Sequence, residues 1–398
     1  MFPFSAEQLL PQEEKLAIGK KKGSLQIGLP KETCLQENRV GLSPQGVHLL
    51  VSNGHEVIVE SGAGLGARYS DTDYSEVGAQ IAHSPQQVFE ANLILKIEPP
   101  SMEELDFMKS HQILFSALQL KTCTKEFFEK LMKKKITAIS YEHMQDEEGM
   151  IPVVRCMSEI AGGAAIQLAS EYLSNANHGK GYLFGGVTGV PPTEVVIIGA
   201  GTVGTYAAKN AQALGAYVKV FDNSLSRLKR MQDTLPNDVF TCILSPKILE
   251  KALIRCDVAI GAMRAREGRT PCMVSEDMVS KMKKGSVIID VSIDQGGVFE
   301  TSEVTNHEDP ICVKHGVIHY GVPNLTSRVS RTASFSLSNI FAPMLESISE
   351  EGGIENALQY RPGLRKGMYM SNGVLTNKAI GEWFDLPYTE VNIHFGDL

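Results

Sequence analysis

Short apolar runs alternate with amphipathic stretches along most of the chain, and that alternation sets the fold class before any motif is considered. Residues 25–29 make a first buried-strand pattern. Ser43 then offers a helix N-cap, Pro44 takes the first helical position, where its missing N–H costs nothing, and Gly54 closes the helix. A second strand pattern follows at once over 55–60. Further strands are expected at 92–97, 112–115 and 136–140, separated by helical patterns at 101–109 and 124–134. Strand and helix taking turns in this way predicts an α/β fold with parallel sheets covered by helices.

Past residue 150 the pattern changes. Residues 157–175 read as one long helix rich in small residues (Ala161, Gly162, Gly163, Ala164, Ala165), which predicts a close-packed backbone neighbour and a link between domains. A glycine-rich stretch, 179–192, leads into a second series with strands at 194–198, 217–221, 257–261 and 286–290. Its helices begin near Thr202, Leu225, Pro246 and Ser275. From about Ser330 the chain turns helical, with an amphipathic segment at 335–349 and no new sheet, so it is expected to pack back on the first unit.

Charge and composition then narrow the partners. The 398 residues carry 38 Lys and Arg against 46 Asp and Glu, a net charge of −8, which argues against nucleic acid. The short basic runs at 20–22 and 133–135 read as solvated surface. No apolar run reaches the roughly 20 residues that span a bilayer, and residues 1–22 lack the order of a secretory signal, so a cytoplasmic protein with a short N-terminal arm is expected. Seven isolated cysteines show no metal-ligand spacing, so no metal site is expected. Reduced thiols, most of them small buried hydrophobes, are the plain reading.

The most specific local signal is TEVVIIGAGTVG at 193–204, a buried strand feeding into Gly199-x-Gly201-x-x-Gly204. Gly199 permits the tight turn, Gly201 lets a pyrophosphate approach the backbone, and Gly204 lets the following helix pack on the strand, with its N-terminal N–H groups facing the anion. The next strand, YVKVFD, ends in Asp222, where a carboxylate accepts from ribose hydroxyls and repels a 2′-phosphate. NAD is therefore the expected cofactor. Arg227, a few residues on, either meets a phosphate or lies along the adenosine edge or in solvent.

These residues and several separate motifs resemble the alanine dehydrogenase family, which shares its fold with the NAD-binding part of proton-translocating transhydrogenase. The motifs are GLPKETCLQENRVGLSP (28–44), ESGAG (60–64), YEHM (141–144), MSEIAG (157–162), IDVSIDQGG (289–297) and VPNLTSRVSRTAS (322–334), so the likeness spans nearly all of the chain beyond its first 20 or so residues. It implies two Rossmann-like, doubly wound parallel-sheet domains with a cleft between them. The implied division is a substrate domain in two parts, 1–152 and 331–398, around an NAD domain at 153–330. It also implies assembly into homo-oligomers and oxidative deamination of L-alanine to pyruvate, with a small-molecule substrate as the partner. Residue by residue, Arg39 falls on the arginine that grips the substrate carboxylate and Asp294 on the acid at the catalytic face. Ser158, Thr202, Val203, Asp222, Arg227 and Val322, Pro323, Asn324 and Leu325 fall on cofactor contacts.

Two positions depart from the family pattern. In LILKIEPP (93–100) Glu98 stands where a second lysine contacts the substrate, and in QILFSALQL (112–120) Gln119 stands where a catalytic histidine is expected. Glutamine does not titrate and cannot move protons near neutral pH. Glu98 repels an anion and suits an amine; raised by burial, it or Asp294 can serve as acid–base. Three readings follow: an amino-acid dehydrogenase with a changed substrate, a non-catalytic NAD(H)-binding relative, or a soluble component that exchanges hydride between nicotinamides. MRAREGR (263–269) also replaces a neutral turn near the cofactor, beginning with Met263. Met263 and Arg264 are expected at the cofactor, and Arg264, Arg266 and Arg269 either hold a phosphate or an acidic substrate group or form a solvated loop. Among the histidines, His143 is the first candidate for a substitute acid.

Overall fold

The computed structural model describes residues 23–120, 122–235, 238–264 and 269–390. The expectations for the N-terminal arm and for Arg266 lie outside the described residues. Two sheets are present. The first is assembled from β1 (Gln26–Leu29), β2 (Glu56–Glu60), β3 (Gln80–Ala82), β4 (Leu93–Leu95), β5 (Ile113–Ser116) and β6 (Thr137–Ser140). The second contains β7 (Glu194–Ile198), β8 (Tyr217–Asp222), β9 (Phe240–Ile243), β10 (Val258–Gly261), β11 (Val287–Asp290), β12 (Ile311–Lys314) and β13 (Val317–Tyr320). The chain then returns to the first sheet with β14 (Met368–Ser371) and β15 (Val374–Leu375).

The spatial order is β15-β14-β6-β5-β4-β1-β2-β3 in one sheet and β12-β13-β11-β10-β7-β8-β9 in the other. In each, the first strand sits mid-sheet; the chain steps outward on one side, then crosses back to the other. β1 therefore lies between β2 and β4, and β7 between β8 and β10, all parallel. Loops leaving neighbouring strands diverge at those two points and open a crevice beyond the carboxyl ends. Apolar layers cover both faces of each sheet. On the first sheet Leu50, Phe341 and Leu345 lie in one layer and Phe128, Leu131 and Tyr369 in the other.

Local signals account for most helix starts. Ser43 caps the helix Pro44–Ser52 through the Gly46 N–H, and Ser101 caps Met102–Phe107 in a reciprocal box with Glu104. The long helix runs Pro152–Leu173, starting earlier than the small-residue pattern suggested because Pro152 supplies its first turn. Its Gly162 lies so close to Val203 and Ala207 that a Cβ would collide with the helix Thr202–Ala213. The C-terminal region differs from expectation. It is mainly helical, but β14 and β15 extend the first sheet antiparallel, joined by a turn at Asn372 and Gly373, both at positive φ. Asn-Gly is a strong hairpin signal. The short edge strands β3 and β9 and the β12–β13 hairpin likewise lack the long apolar runs by which the other strands were legible.

Candidate functional site

Because β1, β4, β5 and β6 are parallel, the loops after them open on one edge of the sheet, and the chemically informative residues of the first domain collect there. β1 is followed by Glu32, Glu37 and Arg39, β4 by Lys96 and Glu98, β5 by Gln119 and β6 by Tyr141. The Arg39 guanidinium is held bidentately by Glu37, Nε to Oε1 at 2.8 Å and Nη2 to Oε2 at 2.5 Å. Its Nη1 donates to Thr326 Oγ1 at 3.1 Å, and its Nη2 lies 3.5 Å from Glu98 Oε1. Gln119, at positive φ, donates its amide to the other oxygen of Glu98.

Electrostatics follow from this crowding. Burial opposes ionisation of Glu37, but Arg39 and Asn324 outweigh it and hold that carboxyl below its ordinary value. Glu98 goes the other way. Burial, followed by the Glu37 charge, pushes its carboxyl up to about 8 against the attraction of Arg39, and a hydrogen bond toward Glu37 favours the protonated form. Two carboxyls beside one arginine therefore divide the roles: one stays charged and fixes the cation, the other can gain and lose a proton near neutrality. The polypeptide at Glu98 is held in place from behind. Glu32 accepts from the Ile97 and Glu98 N–H groups at 2.6 and 3.3 Å, and Lys96, fully buried, pairs with Glu32 at 3.3 Å and Glu104 at 2.8 Å. Lys96 thus faces a buried acidic pair.

The second crevice is mainly backbone. Gly199 sits at φ +115° where a Cβ would strike the Ala262 carbonyl; a Cβ on Gly204 would strike that of Gly199, and Gly201 faces open space. Gly201 is the N-cap of the helix Thr202–Ala213 and no side chain caps its first turn, which leaves N–H groups for an anion. Asp222 is buried at the end of β8, accepting from the Ala200 N–H at 2.7 Å and the Ser224 N–H at 2.8 Å, with Arg227 at 3.0 Å. Met263 follows β10 and its carbonyl accepts from Ser292 Oγ at 2.6 Å; Arg264 beside it is exposed. Ser158 is half-buried on the long helix, and Asp294 is exposed in the turn Ile293–Gln295 after β11. Val322 and Leu325 are buried beyond β13, with Pro323 and Asn324 half-buried between them.

The two crevices are joined by side chains. Asn324 Nδ2 donates to Glu37 Oε2 at 2.6 Å, the Asn38 N–H donates to Ser327 Oγ at 2.9 Å, and Ser327 Oγ donates to the Gln36 carbonyl at 2.7 Å. The loop carrying Arg39 is thereby fixed to the segment expected at the cofactor. Glu37, Glu32 and Thr326 carry no signal of their own in the sequence, although they lie within the motifs at 28–44 and 322–334, and Glu37 stands two positions from Arg39. His143 is exposed and bonded to Ser140 Oγ at 3.2 Å. No group of three or more metal-ligating side chains occurs among the described residues, and no helix there is long and apolar enough to cross a membrane.

Comparison with known proteins bears on this arrangement directly. Residues 28–161 match the family model for the alanine dehydrogenase/PNT N-terminal domain and residues 165–378 that for the C-terminal domain. The chain is 40% identical over 368 residues to an alanine dehydrogenase of Staphylococcus epidermidis, covering 92% of this chain and 99% of that protein. The alanine dehydrogenase of Staphylococcus haemolyticus is 41% identical over 368 residues, covering 92% and 98%. A solved L-alanine dehydrogenase superposes with a TM-score of 0.84 at 38% identity over 90% of this chain and 99% of the other. The transhydrogenase from Sinorhizobium meliloti, at 23% identity and a TM-score of 0.76 over 89% and 99%, shares the fold. With both family models matched in order along most of its length, the chain belongs to the alanine dehydrogenase/PNT family.

Proposed function

We propose that this chain is an NAD-dependent dehydrogenase that interconverts a small L-amino acid of the alanine class and its 2-oxo acid, with Glu98 as the proton-transferring group. The observation that carries the reading is the buried Glu98 carboxyl between Arg39 and Gln119, raised toward neutrality. Similarity to alanine dehydrogenases at about 40% identity supports the reaction class. The overall change is amino acid, NAD and water giving 2-oxo acid, ammonium, NADH and a proton.

The glycine cradle fits a dinucleotide: open space over Gly201, an uncapped helix start and the Asp222 carboxylate beside it suit the pyrophosphate and the adenosine ribose. When bound, NAD accepts the hydride from the substrate α-carbon. Arg39 orients the substrate carboxylate by its charge and its Nη1 side, while Glu37 holds the Nε–Nη2 edge in place. Ionised Glu98 takes a proton from the substrate ammonium and passes it to solvent. It then takes one from the water that adds to the iminium carbon and returns it to the departing amine as the hydroxyl gives up its proton and the C=O forms. Gln119 fixes the Glu98 carboxyl without competing for the proton, and Asp294, at the rim after β11, is a second candidate acid. Asp222 disfavours a 2′-phosphate, so NAD is preferred to NADP.

Several copies assembling together belong to the same proposal, supported by the exposed apolar residues Tyr182, Leu183, Val187 and Val190, and light scattering on the purified protein reads it. For the reaction, NADH oxidation is followed with ammonia and a panel of 2-oxo acids, and calorimetry compares NADH with NADPH. Turnover of an aliphatic 2-oxo acid is expected. Bound NADH with no turnover across the panel would instead favour a non-catalytic cofactor-binding protein.

A further inference from the structure

A cavity of about 250 Å³ opens beside the Arg39 cluster, with Glu98 and Gln119 forming one wall. Cys34 and Cys123, Pro99, Pro100, Met102 and Phe127 supply the apolar part of its lining. None of these is an accident of one loop: Pro99 and Pro100 directly follow Glu98, Met102 opens the helix Met102–Phe107, and Phe127 lies in the helix Lys125–Lys133. The two thiols behave as small hydrophobes there. Burial pushes Cys123 up to about 11 and raises Cys34, so both stay neutral. Among the described lining residues there is no Lys or Arg, and Glu98 is the ionisable carboxyl.

Size decides what such a space accepts. A cavity of roughly 150 Å³ lined by aliphatic groups already holds a molecule as large as benzene. An alanine methyl would leave most of this volume to water, whereas each further buried methylene is worth roughly fourfold in affinity. We propose that the cavity between Glu98, Gln119, Met102 and Phe127 is a side-chain subsite for an uncharged aliphatic group larger than methyl. The preferred substrates are then amino acids of norvaline, leucine or methionine size. This rests on the dehydrogenase reading above. Acidic side chains are disfavoured, because no cation among the described lining residues would meet them.

The test titrates pyruvate, 2-oxopentanoate, 4-methyl-2-oxopentanoate and 2-oxoglutarate into the NADH-loaded full chain by calorimetry, and measures kcat/KM for each with ammonia. 4-Methyl-2-oxopentanoate should bind at least tenfold tighter than pyruvate, and 2-oxoglutarate weakest. Cys34→Phe, at an exposed position on the rim, should shrink the ratio of the larger ligand to pyruvate at least tenfold. Pyruvate binding as tightly as the longer acids overturns the subsite while leaving the dehydrogenase intact if pyruvate turns over. A ratio unmoved by Cys34→Phe, in a variant with wild-type unfolding temperature, overturns the placement. Loss of turnover for every acid sinks the dehydrogenase reading instead, and the calorimetric order still decides the subsite.

Discussion

At the carboxyl end of β7 the chain builds its crevice from backbone, while at the ends of β1, β4 and β5 it builds one from side chains whose charges oppose one another. The first needs residues that are absent from the space: a Cβ on Gly199 or Gly204 would collide with a carbonyl, and no side chain caps the helix at Gly201. The second needs residues that crowd: Glu37, Glu98 and Gln119 all reach toward one region around Arg39. A backbone site has little freedom in its chemistry, so it suits the part of a ligand that is constant. A charged cluster can be retuned by single replacements, so it suits the part where chemistry changes.

The sharpest way to break this contrast is at Glu98. Glu98→Gln keeps shape and removes the titrating proton, so kcat should fall by about 10²–10⁴ with KM changed much less. An unchanged kcat would remove Glu98 from proton transfer. In the wild type, oxidative deamination should rise with pH to a plateau above about 8, as Glu98 ionises.

Arg39→Ala comes next. It leaves Glu37 buried without its cation, which should cost about 3–5 kcal/mol of stability and weaken 2-oxo acid binding while NADH affinity stays close to wild type. Chemical denaturation and calorimetry read the two halves, and equal losses for both ligands would defeat the division of labour between the crevices. Gly204→Ala tests the other crevice. Overpacking against the Gly199 carbonyl should cost about 1–3 kcal/mol and weaken NADH at least tenfold. Wild-type NADH affinity in that variant would mean the close approach is dispensable.

A smaller effect concerns stability and pH. The Glu98 carboxyl holds its proton more tightly folded than unfolded, so its contribution is complete below the ordinary carboxylate range and is lost as pH rises through about 8. Between pH 7 and pH 9 this amounts to about 1 kcal/mol, and Glu98→Gln should flatten that part of the denaturation profile. A profile identical to wild type would show that the carboxyl is not raised. The smallest change is expected from Arg227→Ala. Its half-exposed pair with Asp222 should contribute under about 1 kcal/mol, seen as a few-fold change in NADH affinity.

How much of this was legible differs between the crevices for the same reason. Strand, glycine turn, helix and Asp222 are consecutive in sequence, so their spacing encodes their geometry. Arg39, Glu98 and Gln119 could each be singled out by motif, but their mutual contacts join different strands. Lys96 illustrates the gap: one position of a familiar pattern, it is turned by Glu32 and Glu104 into a buried support. Asn324, expected at the cofactor, also anchors Glu37, a contact across 287 positions of chain. The hairpin at Asn372 and Gly373 carried a readable turn signal, yet its place beside β6 depends on a partner far away in the chain.

By itself the sequence determined the α/β class, the glycine turn after β7 and the two departures at Glu98 and Gln119, because periodicity, glycine spacing and residue identity are local properties. Tertiary structure alone decided what those departures mean. The ionisation of Glu98 is set by burial and by the charges of Glu37 and Arg39, and these meet only when separate parallel strands bring their carboxyl ends to one edge of a sheet.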